Sequence, residues 1–121
     1  MRTPIADFLC SYASSGISRF HMPGHKGNSF LGIESHDITE VAGADVLDSA
    51  DGIIAESEKN VAELFGSAMT VYSTEGSTLA IRTMLFLVAG AGVQGERPLI
   101  IAARNAHKSF INSSADRKSV V

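Results

Sequence analysis

Between Met69 and Ser109 the sequence reads strand, turn, helix, strand, turn, and this order constrains the chain more than any other feature. The run Met69-Thr-Val-Tyr-Ser73 leads into Thr74-Glu-Gly-Ser-Thr78. A helix is expected from Leu79 to Val88, and Leu99-Ile-Ile-Ala-Ala103 then leads into Arg104-Asn-Ala-His-Lys-Ser109. A strand–helix–strand crossover of this length is almost always parallel and right-handed. Both polar turns would then share the carboxyl edge of the sheet, where open α/β sheets bind ligands. The expected fold is therefore α/β with a mostly parallel sheet. Two strands leave long unpaired edges, a known aggregation hazard, so the pattern predicts a truncated front piece of a larger domain.

The segments before the crossover read as helix, loop and helix. Thr3 before Pro4 suits a helix start: a capping hydroxyl, then a proline whose missing donor costs nothing. Ile5, Phe8, Leu9 and Tyr12 follow at i, i+3, i+4 and i+7, and Gly16 ends the pattern. Residues 21–36 carry Pro23, Gly24, Gly27 and Gly32 without periodicity, and loops of that length tend to be functional. Residues 37–53 read as irregular. A second helix is expected from about Ile54 to Phe65, with Val61, Leu64 and Phe65 on its buried side and Gly66 as terminator. Asn112 to Ser119 is polar with little to pack, so residues 113–121 are expected to be a divergent, disordered tail after a domain portion spanning 1–112.

Composition narrows the function. A net charge of −3 argues against nucleic acid, which wants a basic face. No apolar run reaches the roughly 18 residues of a membrane span, and no secretory leader follows Arg2-Thr-Pro4. The single cysteine, Cys10, excludes an internal disulfide and suits a reducing compartment, so a cytoplasmic protein with 45% hydrophobic residues is expected.

Three motifs carry chemistry. Gly76-Ser77-Thr78 sits where the first strand enters the helix. Unpaired amides, two hydroxyls and a glycine there would receive a phosphate, although a plain helix cap is an equally ordinary use of Ser77 or Thr78. Glu75 beside it would repel an anion unless it points away or pairs with Arg104. His107, after the second strand, is placed to lie on a bound aromatic ring or act as acid/base; the bland alternative is a solvated loop histidine, with Lys108 and Ser109 as surface residues. Phe20-His-Met-Pro-Gly-His-Lys-Gly27 holds His21, Pro23, Gly24, His25 and Lys26. His21 and His25 have zinc spacing for a helix, but Pro23 and Gly24 forbid that helix, so no metal is expected. The octapeptide is either a rigid active-site loop or a Pro-Gly turn. Gly90-Ala-Gly-Val-Gln-Gly95 matches a dinucleotide fingerprint but follows a helix and precedes a strand, the reverse of the context that motif needs, and reads as a connection.

In these segments the chain resembles the ornithine/lysine/arginine decarboxylase family, pyridoxal-phosphate enzymes of aminotransferase-like fold. The resemblance is carried by Thr3-Pro4, Phe20–Gly27, Asp37-Ile-Thr-Glu-Val41, Glu63-Leu-Phe-Gly66, Ser73–Thr78 and Arg104–Ser109, in that order. It implies decarboxylation of lysine, arginine or ornithine with pyridoxal 5′-phosphate as cofactor, in a homo-oligomer. Ser77 and Thr78, after Gly76, match the cofactor-phosphate ligands, and His107 matches the residue stacked on the ring. The loop with His21, Pro23, Gly24, His25 and Lys26 matches the substrate side. The family's Schiff-base lysine lies in a Ser-x-His-Lys segment. Lys26, Lys59, Lys108 and Lys118 do not match it, so no catalytic residue is identified and these 121 residues alone are expected to be inactive. Two other uses stay open: a non-catalytic fragment that binds a full-length decarboxylase, and a simple phosphate-binding module.

Overall fold

Pro4 opens the first helix because its missing N–H falls where no intrahelical acceptor exists. The computed structural model describes residues 2–90 and 99–116. Among them are α1 (Pro4–Ser14), α2 (Ile53–Phe65), α3 (Gly76–Gly90) and α4 (Lys108–Asp116), with a 3-10 turn at Glu34–His36. The chain divides into two units, Met1–Tyr72 and Ser73–Val121.

In the first unit, α1 packs against α2 and against the 3-10 turn. The Thr3 hydroxyl donates to Asp7 Oδ1 at 2.9 Å, and the Thr3 amide approaches Asp7 Oδ2 at 3.3 Å. The hydroxyl thus serves the helix start by donating to a carboxylate, not by accepting from a helix amide. Phe8 and Tyr12, one turn apart, stack with ring centroids 6.0 Å apart. Asp45 prepares the start of α2 from a distance in sequence. Its Oδ2 accepts from the amides of Gly52 and Ile54, both at 2.9 Å, and its Oδ1 accepts from Val46 at 2.8 Å and Asp51 at 3.3 Å. α2 ends at Gly66, where φ is 64°. The Gly66 amide reaches the Glu63 carbonyl and the Ser67 amide reaches that of Ala62, a left-handed closure that glycine makes without a Cβ penalty. The buried face of α2 differs from the expected one. Ala62 is the buried hydrophobic, Val61 is half-buried, and Leu64 and Phe65 are 65% and 77% exposed.

In the second unit, α3 packs against α4. Leu85 is buried, whereas Met84, Phe86, Leu87 and Val88 on the same two turns are exposed. A helix apolar around its circumference is the type found inside larger cores. α4 continues through Asp116 and carries fully buried Ser113 and Ser114. Residues 113–116 are therefore helical despite their polarity, and residues 117–121 of the expected tail lie outside the described residues. So does nearly all of the Gly90–Gly95 connection.

The expected parallel sheet does not form. Among the described residues there is no sheet, and Leu99 carries a single isolated bridge. A strand exists only through ladder bonds to a neighbour, and apolar sequence does not supply those bonds. In the first of these runs Tyr72 instead bonds to α2: its amide donates to Glu58 Oε1 at 2.7 Å, and its hydroxyl lies 2.7 Å from Ser57 Oγ. Leu99–Ala103 runs into a turn closed by the Ala106 amide on the Ala103 carbonyl. The α/β expectation is thus corrected to a helical architecture in which neither apolar run belongs to a sheet.

Candidate functional site

The first turn of α3 begins with Gly76 at φ 63°, and a Cβ built there would meet nothing within 4 Å. The backbone at this point is open to an approaching group. Ser77 and Thr78 follow in the same turn, both exposed, with the helix amides that have no intrahelical acceptor. The positive end of the helix dipole and these donors favour an anion.

His107 stands immediately before α4 and caps it. Its Nδ1 accepts from the Ser109 amide at 3.2 Å and lies 3.0 Å from Ser109 Oγ. Accepting a backbone N–H at Nδ1 places the proton of the neutral imidazole on Nε2. Ser109, 8% exposed, also lies with its Oγ 3.1 Å from Thr78 Oγ1. One buried hydroxyl therefore ties the first turn of α3 to the first turn of α4 and to the histidine between them. Two helix N-termini serve one place, with hydroxyls and an imidazole around it.

The second unit thus brings Thr78 and His107 together, with Gly76 and Ser77 in the same turn as Thr78. The residue that sequence reasoning missed is Ser109, whose expected surface position is not observed. Its signal was a serine two residues after a histidine at a helix start, the spacing at which an N-cap side chain meets a backbone amide. Lys108 is exposed. Glu75 and Arg104 do not pair, whereas His25 and Asp37 do.

His21, Pro23, Gly24, His25 and Lys26 belong to the first unit. The Tyr12 hydroxyl donates to His21 Nε2 at 2.8 Å, because His21 Nδ1 donates to the Met22 carbonyl at 2.6 Å. Lys26 Nζ donates to the His21 carbonyl at 3.2 Å. His25 Nδ1 accepts from the Gly27 amide at 3.0 Å and its Nε2 donates to Asp37 Oδ2 at 3.3 Å. The Met22–Pro23 peptide is cis. Among the described residues no three His, Cys, Asp or Glu side chains gather as a metal site requires. No helix among them is long and apolar enough to cross a membrane.

Three carboxyl groups sit below the usual range, and all three serve local structure. The Leu31 amide, with that of Gly32, holds Glu34 at about 2. Burial acts to raise Asp45, but the amides of Val46, Ile54, Gly52 and Asp51 outweigh it and hold that carboxyl at about 2. The Thr39 hydroxyl lowers Glu40. A cleft of about 360 Å³ lined by Phe8, Leu9, Ile38, Leu47 and Ile54 also borders Asp45 and Glu40, but both carboxylates are already engaged.

Comparison with known proteins identifies the lineage. Residues 3–116 match the Orn/Lys/Arg decarboxylase, major domain, family model. The chain belongs to the ornithine/lysine/arginine decarboxylase family. It is 34% identical to an arginine decarboxylase of Halalkalibacterium halodurans over 93% of this chain and 24% of the relative. An arginine decarboxylase of Bacillus subtilis is likewise 34% identical over 92% of this chain and 24% of that protein. A third relative, the B. subtilis protein YaaO, which carries no assigned function, is 30% identical over 93% of this chain and 24% of its own length. The chain thus spans about a quarter of the length of the relatives it matches. No solved structure matches it.

Proposed function

We propose that this chain carries the phosphate-holding and ring-stacking portion of a pyridoxal-phosphate-dependent decarboxylase of a basic amino acid. The observation that carries this reading is the Thr78–Ser109–His107 cluster, which ties two helix N-termini and an imidazole to one place. The residues fit the cofactor's phosphate: Gly76 leaves the approach open, Ser77 and Thr78 offer hydroxyls and amides, and Ser109 orients Thr78. His107, its Nδ1 occupied by the cap bond, presents an imidazole plane whose rotation is restricted, as a stacking residue requires. When bound, pyridoxal phosphate supplies an electron sink for carboxylate loss. This chain's residues would bind and orient it and keep water from one face. Arginine, lysine or ornithine as substrate, homo-oligomeric assembly and a cytoplasmic setting belong to the same proposal, with the relatives' names favouring arginine. The four lysines lack the Ser-x-His-Lys context, so the 121 residues alone do not decarboxylate.

Pyridoxine 5′-phosphate tests the reading because it has ring and phosphate but no aldehyde to react with surface lysines. The chain binds it more tightly than pyridoxine by at least about tenfold, the contribution of charge-assisted bonds to phosphate. Ser77→Ala with Thr78→Val abolishes that difference, and His107→Ala weakens both compounds. Equal affinity for the two would overturn the phosphate assignment. Inorganic phosphate binding as tightly as the ring compound, with no effect of His107→Ala, would point to a simple phosphate module instead.

A further inference from the structure

The first unit holds a second group of cations that the cofactor reading does not use. Arg19 is half-buried and lies over the Tyr12 ring, its Cζ 4.9 Å from the centroid, while Nη1 reaches the Glu34 carbonyl at 3.5 Å. Lys26 Nζ reaches only the His21 carbonyl. The Arg19 guanidinium lies against the backbone next to Lys26, where a Cβ placed on Gly27 would be 2.9 Å from the guanidinium carbon. His21 links the two through Tyr12: its ring is bonded to the Tyr12 hydroxyl and lies 6.0 Å from that ring, and its carbonyl receives Lys26.

The partners of these cations are neutral. The two carboxylates of the segment are committed elsewhere: Glu34 to the Leu31 and Gly32 amides and the Ser29 hydroxyl, Asp37 to His25. A guanidinium held by a ring face and a long carbonyl contact keeps most of its five donors unspent, and an ammonium on one carbonyl keeps two of three. Carbonyls and ring faces balance charge poorly, whereas a planar guanidinium fork matches an oxyanion in two bonds.

We propose that Arg19 and Lys26, set by Tyr12 and His21, form a binding site for a small oxyanion, a carboxylate or a phosphate ester. Arg19 supplies the fork, Lys26 a mobile point charge, and the Tyr12 ring fixes the guanidinium plane. The proposal uses residues of the first unit alone, and the Gly76–Thr78 assignment uses residues of the second, so the failure of one is read independently of the other.

The test is site-resolved nuclear magnetic resonance of the full 121-residue chain, following the Arg19 side-chain N–H and the His21 ring. Sodium phosphate and sodium acetate are titrated separately at constant ionic strength. Saturable shifts at Arg19 and His21 are expected, with apparent affinity reduced at least about tenfold in Lys26→Gln and in Arg19→Gln. Arg19→Lys retains charge but loses the fork, and falls between wild type and Arg19→Gln. Lys59→Gln on α2 leaves the titration unchanged. The Tyr12 and His21 resonances report whether each variant keeps the loop fold. Response to phosphate alone assigns a phosphate ester, to acetate alone a carboxylate, and to both a general oxyanion site. Shifts that rise linearly without saturating, or that are the same in folded Arg19→Gln and Lys26→Gln as in wild type, would overturn the proposal.

Discussion

Thr78 Oγ1 and Ser109 Oγ lie 3.1 Å apart although 31 residues separate them, and this contact joins the starts of α3 and α4. Ser109 is buried, so its hydroxyl has few alternatives to Thr78 and His107. Thr78→Val and Ser109→Ala should therefore be non-additive. A double-mutant cycle in urea is expected to give a coupling of about 1 kcal/mol, the usual net worth of such a bond. Additive losses would mean that the two hydroxyls are neighbours without interacting.

Asp45 gives the first unit an acid-sensitive point. Its carboxyl titrates at about 2 in the folded chain against an ordinary 3.8, and Glu34 at about 2 against 4.5. Stabilisation from a depressed carboxyl is fully present above its ordinary value and is lost as pH falls toward the folded one. Thermal stability should thus hold from neutrality to about pH 5 and decline between about pH 4 and 2. In Asp45→Asn that decline becomes shallower, because one of the depressed carboxylates no longer titrates. An equally steep decline in the variant would show that Asp45 does not govern it.

Gly66 tests the end of α2. Alanine at φ 64° carries the left-handed penalty, about 1–2 kcal/mol, whereas asparagine tolerates that region better. Urea midpoints should rank wild type above Gly66→Asn above Gly66→Ala. A Gly66→Ala midpoint equal to wild type would show that the closure is not maintained in solution.

Ser113 makes the opposite prediction. It is 2% exposed, and among the described residues no hydrogen bond reaches its hydroxyl, while neighbouring Ser114 donates to the Phe110 carbonyl at 2.9 Å. A buried hydroxyl without a partner is costly, so Ser113→Ala should stabilise the chain by about 1 kcal/mol in urea. A loss of similar size would reveal a bond that the hydroxyl makes in solution.

What could be read ahead of the structure was whatever depends on neighbours in sequence. Pro4 at the start of α1 and Gly66 at the end of α2 follow from backbone chemistry within a turn, and both ends fall where expected. The strands at Met69–Ser73 and Leu99–Ala103 do not form, because a ladder depends on a second segment and not on the apolar run itself. Asp45 went unseen for a related reason: it caps α2 from nine residues before Ile54, outside the spacing at which a cap is normally sought. Ser109 had a local signal in its cap bond to His107, but its contact with Thr78 required the packing of α3 on α4.

The exposed side chains of α3 make the behaviour of this chain a matter of mass action. Met84, Phe86, Leu87 and Val88 are 50%, 54%, 65% and 70% exposed, so every molecule carries apolar surface whose burial is still to be gained. Any process that covers it, whether self-association or a binding partner, draws the folding equilibrium with it. The melting temperature should rise with protein concentration, and Leu87→Lys should flatten that dependence; a concentration-independent melt would show that α3 tolerates water. If the dependence holds, stability in this chain is a property of the solution and not of the single molecule.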